Sequence, residues 1–187
     1  GIPFETVASA LAEFQGAERR FQQLGEEDGV MVVDDYGHHP TEIAAVLAAA
    51  RAGIDRRLVV VFPPHRYTRT SQLMKEFGAA LSRADEVVLT EIYAAGEPPI
   101  PGVTLDALAS VVRAAARGGV HVVPALEDVP SAVAMMARPG DLVITLGAGS
   151  IGGTGERILD AIRHRPPQLA SPADRPVDRP VDRREAR

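Results

Sequence analysis

The stretch that decides the fold is Val30 to Ala52, which reads VMVVDDYGHHPTEIAAVLAAARA. Its first four residues are apolar and mostly valine, which predicts a buried strand. From Ile43 onward the apolar residues recur at helical spacing, so we expect a helix there, with Pro40 at its start and Thr41 as its cap. Two carboxylates, a phenol and two imidazoles lie between strand and helix. In an open α/β sheet, this is where ligands bind.

The same alternation of short apolar runs and helical patterns continues along the chain. It predicts an α/β domain whose open sheet is mainly parallel, has about six strands and carries helices on both faces. A short N-terminal helix, with Phe4, Val7, Leu11 and Phe14 on one face, and a hairpin turning at Gly25 to Gly29 are expected to precede it. The further strands are expected at 58–62, 86–90, 120–123 and 141–146, and the helices between and after them at 71–83, 105–117, 129–137 and 151–164.

Composition excludes several classes of protein. The net charge is −5, which argues against an electrostatic nucleic-acid binder. The absence of cysteine excludes disulfides and thiolate metal sites. No apolar run is long enough to insert into a membrane, so a cytoplasmic protein is expected.

The two ends of the chain differ in composition. The chain opens without an initiator methionine, which suggests a piece of a longer protein, with one domain from 1 to 165. The remainder, 166–187, repeats Asp-Arg steps between prolines and has almost nothing apolar to bury. It is expected to be disordered.

A second polar cluster follows the strand that ends at Phe62, in the sequence PPHRYTRT from Pro63 to Thr70. Arg66 and Arg69 are three residues apart, so their guanidiniums can converge on one anion. The alternative for both polar clusters is a solvated turn without a ligand. The proline-rich loop at 91–102 is ambiguous from composition alone.

The sequence GAGSIG from Gly147 to Gly152 fits a dinucleotide-binding pattern, but it follows the last strand instead of the first. Only a glycine-rich turn with exposed N–H groups, suited to an anion, is therefore expected at Gly147 and Gly149. The chain contains no P-loop sequence for a nucleotide triphosphate.

Taken together, RRF at 19–21, DDYGHHPTE at 34–42, FPPHRYTRT at 62–70, IYAAGE at 92–97 and LGAGSIG at 146–152 resemble the C-terminal domain of the Mur ligases, and among them the ligase that adds L-alanine to UDP-N-acetylmuramate. The resemblance runs from about residue 1 to 164. It implies a Rossmann-like third domain of a longer enzyme that serves peptidoglycan synthesis, and with it cell-wall biogenesis, cell shape and cell division.

The resemblance also implies a reaction. These enzymes are ADP-forming ligases that make an acyl phosphate from the muramyl carboxylate and ATP, and the amine of the amino acid then displaces phosphate. ATP and Mg²⁺ are held mainly by a central domain, so the present chain alone is expected to be inactive. Its partners would be L-alanine, ATP and UDP-N-acetylmuramate.

Individual residues take roles from the same resemblance. Arg20 is expected to act on the ATP phosphates as a catalytic residue, and Asp35 to contact the nucleotide at its ribose. The L-alanine pocket is expected to be formed by Tyr36, His65, Arg66 and Arg69, with the arginines on the carboxylate and Tyr36 against the methyl group. His38, His39, Gly147 and Gly149 belong to the signature without an assigned role, and no metal ligand is expected in the chain.

A different class of function stays open from the sequence. The chain could be a stand-alone binding module that captures a small amino acid or a nucleotide in the same pocket.

Overall fold

A computed structural model of the chain describes residues 1–13 and 17–166. Its strands and helices follow one another in the alternating order that the sequence predicts. The strands are β1 Gln22–Glu27, β2 Val30–Asp35, β3 Arg57–Phe62, β4 Glu86–Leu89, β5 Gly119–Val122 and β6 Asp141–Leu146; the helices are α1 Phe4–Glu13, α2 Pro40–Gly53, α3 Tyr67–Gln72, α4 Met74–Leu81, α5 Leu105–Ala115, α6 Val129–Met136 and α7 Thr154–His164, and a 3₁₀ turn spans Leu126–Asp128.

The six strands form one sheet in the order β1-β2-β6-β3-β4-β5. β1 is antiparallel to β2, and every other neighbouring pair is parallel. The predicted fold class, a mainly parallel sheet of about six strands within an α/β domain, is confirmed. The last strand in sequence, β6, lies near the middle of the sheet, so it is covered on both faces and is buried along its whole length.

Successive residues of the central strands point to opposite faces and enter two separate cores. In β3, Leu58, Val60 and Phe62 pack with α2, α4 and α5 on one face. Val59 and Val61 pack with α6 and α7 on the other. This division explains why the strands are continuous apolar runs in the sequence.

The hairpin between β1 and β2 is present, but its turn is shorter than the predicted turn from Gly25 to Gly29. The turn consists of Asp28 and Gly29, whose φ angles are 49° and 72°. An Asp-Gly pair with two positive φ angles suits a two-residue hairpin. Gly25 instead lies inside β1, where the register against β2 shifts.

Two helix details also differ from the sequence prediction. His39, not Thr41, occupies the cap of α2, and Pro40 is the first helical residue. The helix predicted over 71–83 is two helices, α3 and α4, which meet at Leu73. Propensity alone does not specify either junction.

The N-terminal helix is present as α1, and two of the four residues predicted to share its face, Phe4 and Val7, are 80% and 40% exposed. Phe14 lies outside the described residues, as does the predicted tail beyond Pro166. Within the part of the chain that the structure describes, no helix combines the length and apolar character needed to cross a membrane.

Ile144 lies in the middle of β6, is fully buried and belongs to the core beneath α2, α4 and α5. We expect Ile144→Ala to lower the free energy of unfolding by about 2–5 kcal/mol, because it leaves a cavity between sheet and helices. Urea denaturation measures the change. The matched control is Ile2→Ala, at a residue 74% exposed, which should stay within about 0.5 kcal/mol of the parent. Equal losses in the two variants would contradict the assigned core.

Candidate functional site

The candidate site lies along one edge of the sheet, where β2, β6, β3 and β4 end side by side. The parallel register places Asp35 opposite Leu146, and Phe62 opposite Leu89. The loops that follow these four strands therefore share one crevice, as expected for an open α/β sheet.

Arg19, in the segment before β1, connects the end of β2 with the turn that follows β6. Arg19 Nε donates to Asp34 Oδ2 at 2.6 Å, and Arg19 Nη2 donates to the carbonyl oxygen of Gly147 at 2.6 Å. The second oxygen of the buried Asp34 accepts from the Thr145 hydroxyl at 2.6 Å. Arg19 thus has a structural position at the junction of these segments.

Asp35 is 5% exposed, and both of its carboxylate oxygens accept backbone N–H groups. Oδ2 accepts from Phe21 at 2.8 Å, and Oδ1 accepts from Gly37 at 2.7 Å. A side chain at position 37 would place its Cβ 2.9 Å from Oδ1, so glycine is required by this close approach. Asp35 consequently fixes the residues beside Arg20 and Tyr36.

Arg20 is exposed, and its guanidinium lies 6.0 Å from the centre of the Tyr36 ring. Among the residues that the structure describes, its side chain makes no hydrogen bond or ion pair. A guanidinium that is held near an aromatic face but not neutralised remains available to an anionic ligand.

The structure separates the two histidines of the signature. His39 caps α2, where its Nδ1 accepts from the backbone of Thr41 at 3.4 Å. Glu42 completes the cap, since its carboxylate accepts from the backbone N–H groups of His38 at 2.9 Å and of His39 at 3.1 Å. Although burial raises the pKa of Glu42, these two hydrogen bonds lower it overall.

His38 instead belongs to a row of four rings that crosses the crevice. Its ring centre lies 5.3 Å from that of Tyr36 and 5.4 Å from that of His65, and the His65 ring lies 5.4 Å from Tyr93. The row joins the loops after β2, β3 and β4. The four rings form an aromatic wall, and the charged side chains of the site lie beside it.

The pKa of His65 lies below its ordinary value. Burial lowers its pKa, and the charges of Arg69, His38 and Arg66 act in the same direction, in that order. Arg69 Nη1 lies 3.3 Å from His65 Nδ1. Because arginine has only donors, this contact requires an unprotonated Nδ1, so the neutral imidazole carries its proton on Nε2.

Arg66 adopts a φ of 73°, an unusual conformation for a residue with a side chain. Its N–H donates to the carbonyl oxygen of Tyr93 at 2.8 Å, and the N–H of Tyr93 donates to that of Pro64 at 2.8 Å. The half-exposed side chain lies 3.7 Å from Glu97. Strain of this kind persists where neighbouring bonds fix the backbone, and it is concentrated at functional sites.

The structure brings Tyr36, His38, His65, Arg66 and Arg69 together as the sequence predicts. The carbonyl oxygen of Gly147 accepts from Arg19, and its N–H donates to the carbonyl oxygen of Asp35 at the end of β2. Gly149 lies against the ring of Tyr93.

Two residues of the site were not predicted from the sequence, Tyr93 and Glu97. Glu97 accepts from the backbone N–H and the hydroxyl of Thr68, at 3.0 and 2.8 Å, and the first of these bonds is the main cause of its lowered pKa. Both residues follow β4, the neighbour of β3. The order of strands in the sheet is the signal that would have found them.

The described residues contain no group of three or more histidine, aspartate or glutamate side chains that could hold a metal ion. The charged groups on the wall are mainly guanidiniums. Guanidiniums of this kind are suited to the recognition of anions.

The protein-family model described as "Mur ligase, glutamate ligase domain" matches residues 19–149, which include every group of the candidate site. The chain belongs to the Mur ligase family. The match begins at the arginine pair and ends at the glycine-rich turn, so it spans the sheet edge that carries the site.

Similar proteins of known name place this Mur ligase domain more narrowly. It is 52% identical over 165 residues to the UDP-N-acetylmuramate–L-alanine ligase of Myxococcus xanthus, covering 88% of this chain and 35% of that protein. The ligase of the same name from Acidothermus cellulolyticus is 53% identical over 167 residues, with 88% and 35% covered. The chain therefore spans about a third of the length of these relatives.

Solved structures give the same fold. The UDP-N-acetylmuramate–alanine ligase of Thermotoga maritima superposes with a TM-score of 0.70 at 27% identity, covering 86% of this chain and 33% of that one. A murein peptide ligase from Psychrobacter arcticus superposes with a TM-score of 0.66 at 24% identity, covering 90% of this chain and 35% of that one. The second likeness concerns the fold alone.

After burial, the charge of Arg69 makes the largest contribution to the lowered pKa of His65. We expect Arg69→Gln to raise the pKa of His65 toward its ordinary value, because removing a nearby positive charge makes protonation easier. An NMR titration of the imidazole signals measures the shift. The control is Arg163→Gln, at an exposed arginine of α7 that pairs with Glu27. A pKa of His65 that is the same in both variants would disprove the assigned contact.

Proposed function

We propose that the chain is the C-terminal domain of a longer, ATP-dependent ligase that joins L-alanine to UDP-N-acetylmuramate in peptidoglycan synthesis, in the cytoplasm. The observation that carries the proposal is the 52% identity, over 88% of the chain, to a ligase named for these two substrates. The crevice supports it, because its free and loosely paired charges are those that a carboxylate and a phosphate group need.

The proposed reaction has two steps. An oxygen of the muramyl carboxylate attacks the γ-phosphorus of ATP, which forms an acyl phosphate and releases ADP. The amine of L-alanine then attacks the acyl carbon, the C–O bond to phosphate breaks, and the amine loses a proton as the amide forms. The domain described here would bind and orient the alanine and stabilise the transferring phosphoryl group, and proximity of this kind is a large part of catalysis.

The alanine carboxylate would be held by Arg66 and Arg69. Arg69 contacts the aromatic wall through His65 at one guanidinium nitrogen, Nη1, and a guanidinium carries further N–H donors that could bind a ligand. Among the described residues, Arg66 is paired with the partly buried Glu97, at 3.7 Å. A carboxylate ligand would replace this loose pair by shorter, charge-assisted hydrogen bonds. Tyr36 would lie against the methyl group.

Arg20 would act on the ATP phosphates, since its guanidinium is exposed at the end of the crevice beside Tyr36. For Asp35 we propose a supporting role at the nucleotide, through the backbone that it fixes on both sides of the crevice. The direct contact with the ribose stays a prediction. Mg²⁺ would neutralise the phosphates, and we place its ligands outside the described residues, which contain no suitable cluster.

The proposal is tested with the full-length protein that contains this chain. We expect release of ADP that requires both L-alanine and UDP-N-acetylmuramate, with omission of either abolishing it. Calorimetric titration of the 187-residue chain with L-alanine and with ATP distinguishes two hypotheses, a domain of a longer enzyme and a stand-alone binding module. Weak or no binding supports a domain that needs its neighbours; tight binding by the isolated chain would favour the module.

Removing either arginine of the carboxylate pair should weaken alanine binding. We expect Arg66→Ala and Arg69→Ala in the full-length protein each to raise the KM for L-alanine by roughly 10- to 150-fold, since a hydrogen bond to a charged group contributes about 1.5–3 kcal/mol. Steady-state kinetics at saturating ATP give the values. Arg163→Ala, on α7, serves as the control for loss of one positive charge. An unchanged KM in both site variants would refute the assignment.

Substitutions of Arg19 and Arg20 should have different effects, the first on stability and the second on activity. We expect Arg20→Ala to lower kcat by about tenfold or more with little change in the KM for L-alanine, as for a group acting on charge that develops in the transition state. Arg19→Ala should instead lower the thermal stability, because it breaks the pair with Asp34. If Arg20→Ala reduced only the affinity for alanine, its role at the phosphates would be wrong.

A further inference from the structure

Glu97, in the loop after β4, binds the segment that carries Arg66 and Arg69. Its Oε2 accepts from the backbone N–H of Thr68 at 3.0 Å, and its Oε1 accepts from the Thr68 hydroxyl at 2.8 Å. As the second residue of α3, Thr68 has no acceptor for its N–H within the helix. The carboxylate is therefore the partner that this N–H lacks, at a point of the chain between the two arginines.

Helix α3 cannot maintain this arrangement by itself. It has only six residues, and a helix that short is not stable alone. Arg66, at its start, has a φ of 73°, and its side chain makes no capping hydrogen bond within the described part of the chain. A strained backbone of this kind persists where its surroundings fix it. The positions of both guanidiniums thus depend on contacts from outside the helix.

The loop after β4 makes two such contacts. The carbonyl oxygen of Tyr93 accepts from the N–H of Arg66 at 2.8 Å. The second contact is the carboxylate of Glu97 on Thr68. A tight turn directs Glu97 back toward α3, since its N–H donates to the carbonyl oxygen of Ala94 at 3.0 Å and the two residues between have φ angles of 49° and 84°. Backbone and side chain of one loop therefore act on the same first turn of α3.

The ion pair with Arg66 is the weaker contact of Glu97. Glu97 Oε1 lies 3.7 Å from Arg66 Nη1, beyond hydrogen-bond distance, and the arginine side chain is 50% exposed. An ion pair with such an exposed partner contributes little. When a carboxylate ligand binds the guanidinium, both hydrogen bonds of Glu97 to Thr68 are free to persist.

We propose that Glu97 is a positioning residue, which fixes the first turn of α3 through Thr68 and so holds the two guanidiniums of the crevice in one arrangement. The inference deepens the proposed function and rests on it, because that function assigns both arginines to the L-alanine carboxylate. The two hydrogen bonds, and not the negative charge, carry the effect.

Two substitutions separate the hydrogen bonds from the charge. Glu97→Gln removes the charge but can keep both bonds, since an amide oxygen accepts from the Thr68 N–H and an amide N–H donates to the hydroxyl oxygen. Glu97→Asp keeps the charge, but its side chain is one methylene group shorter and does not reach Thr68 in the same geometry.

The first measurement is hydrogen exchange of the Thr68 amide, followed by NMR in the 187-residue chain. We expect Glu97→Ala to accelerate exchange by about tenfold or more, because a hydrogen bond to a charged group changes an equilibrium by at least that factor. Glu97→Gln should exchange at nearly the parent rate. This measurement needs no substrate, so it tests the contact independently of the proposed function.

The second measurement is steady-state kinetics of the full-length protein. We expect Glu97→Ala to raise the KM for L-alanine by about 5- to 50-fold, because a misplacement of about 1 Å costs up to about 100-fold. The KM for ATP should stay within about twofold, since the change concerns alanine binding. Glu97→Gln should resemble the parent, and Glu97→Asp should resemble Glu97→Ala. Thr68→Val removes only the hydroxyl and should raise the KM for L-alanine less; it decides the question if Glu97→Ala does not fold.

The matched control is Glu91→Ala, at an exposed acid of the same loop whose side chain makes no hydrogen bond or ion pair with the residues that the structure describes. It should keep the parent values in both measurements. The inference is overturned if Glu97→Ala and Thr68→Val both keep the parent KM for L-alanine, or if Glu97→Asp keeps it while Glu97→Gln loses it. An equal rise in the KM for ATP would also overturn it, because it would indicate a general loss of structure.

A parent protein that does not use L-alanine would refute the proposed function. That outcome is distinct from a failure of the Glu97 assignment, which the exchange of the Thr68 amide reports by itself.

Discussion

Two consecutive carboxylates at the end of β2 organise the edge on which the rest of the site depends. Because neighbouring residues of a strand point to opposite faces, Asp34 and Asp35 serve different loops. Asp34 binds Arg19 and, through it, the turn after β6, while Asp35 binds the backbone at Phe21 and Gly37. Asp34 is buried and Arg19 is partly buried, and together with the bonds of Asp35 this pair keeps several loops in one arrangement.

The positive charges beside the aromatic wall act both on a ligand and on His65. The guanidiniums of Arg66 and Arg69 favour an anion in the crevice, and they also disfavour a proton on His65. A bound carboxylate would offset part of this positive field and make His65 easier to protonate. Under the proposed function, occupancy of the crevice would therefore be coupled to the ionisation of this imidazole.

Local sequence patterns were sufficient for the sheet, and they pointed to the strand ends where the polar clusters lie. β6 is a continuous apolar run because it is buried on both faces, and its predicted and observed bounds agree. Arg66 and Arg69 were identified because their chemistry is unusual at a strand end. Details that depend on distant residues were not predictable in this way. Tyr93 lies in an ordinary-looking loop and acquires its position from His65 and Gly149.

The hairpin of β1 and β2 also forms one edge of the sheet. An exposed edge strand is a template for pairing with another chain, which leads to aggregation. β1 carries a register shift and ends in Glu26 and Glu27, and a bulged, acidic edge is a poor partner for a second strand. At the opposite border, β5 is only four residues long. The strand that follows Arg20 is therefore a poor template for edge-to-edge association.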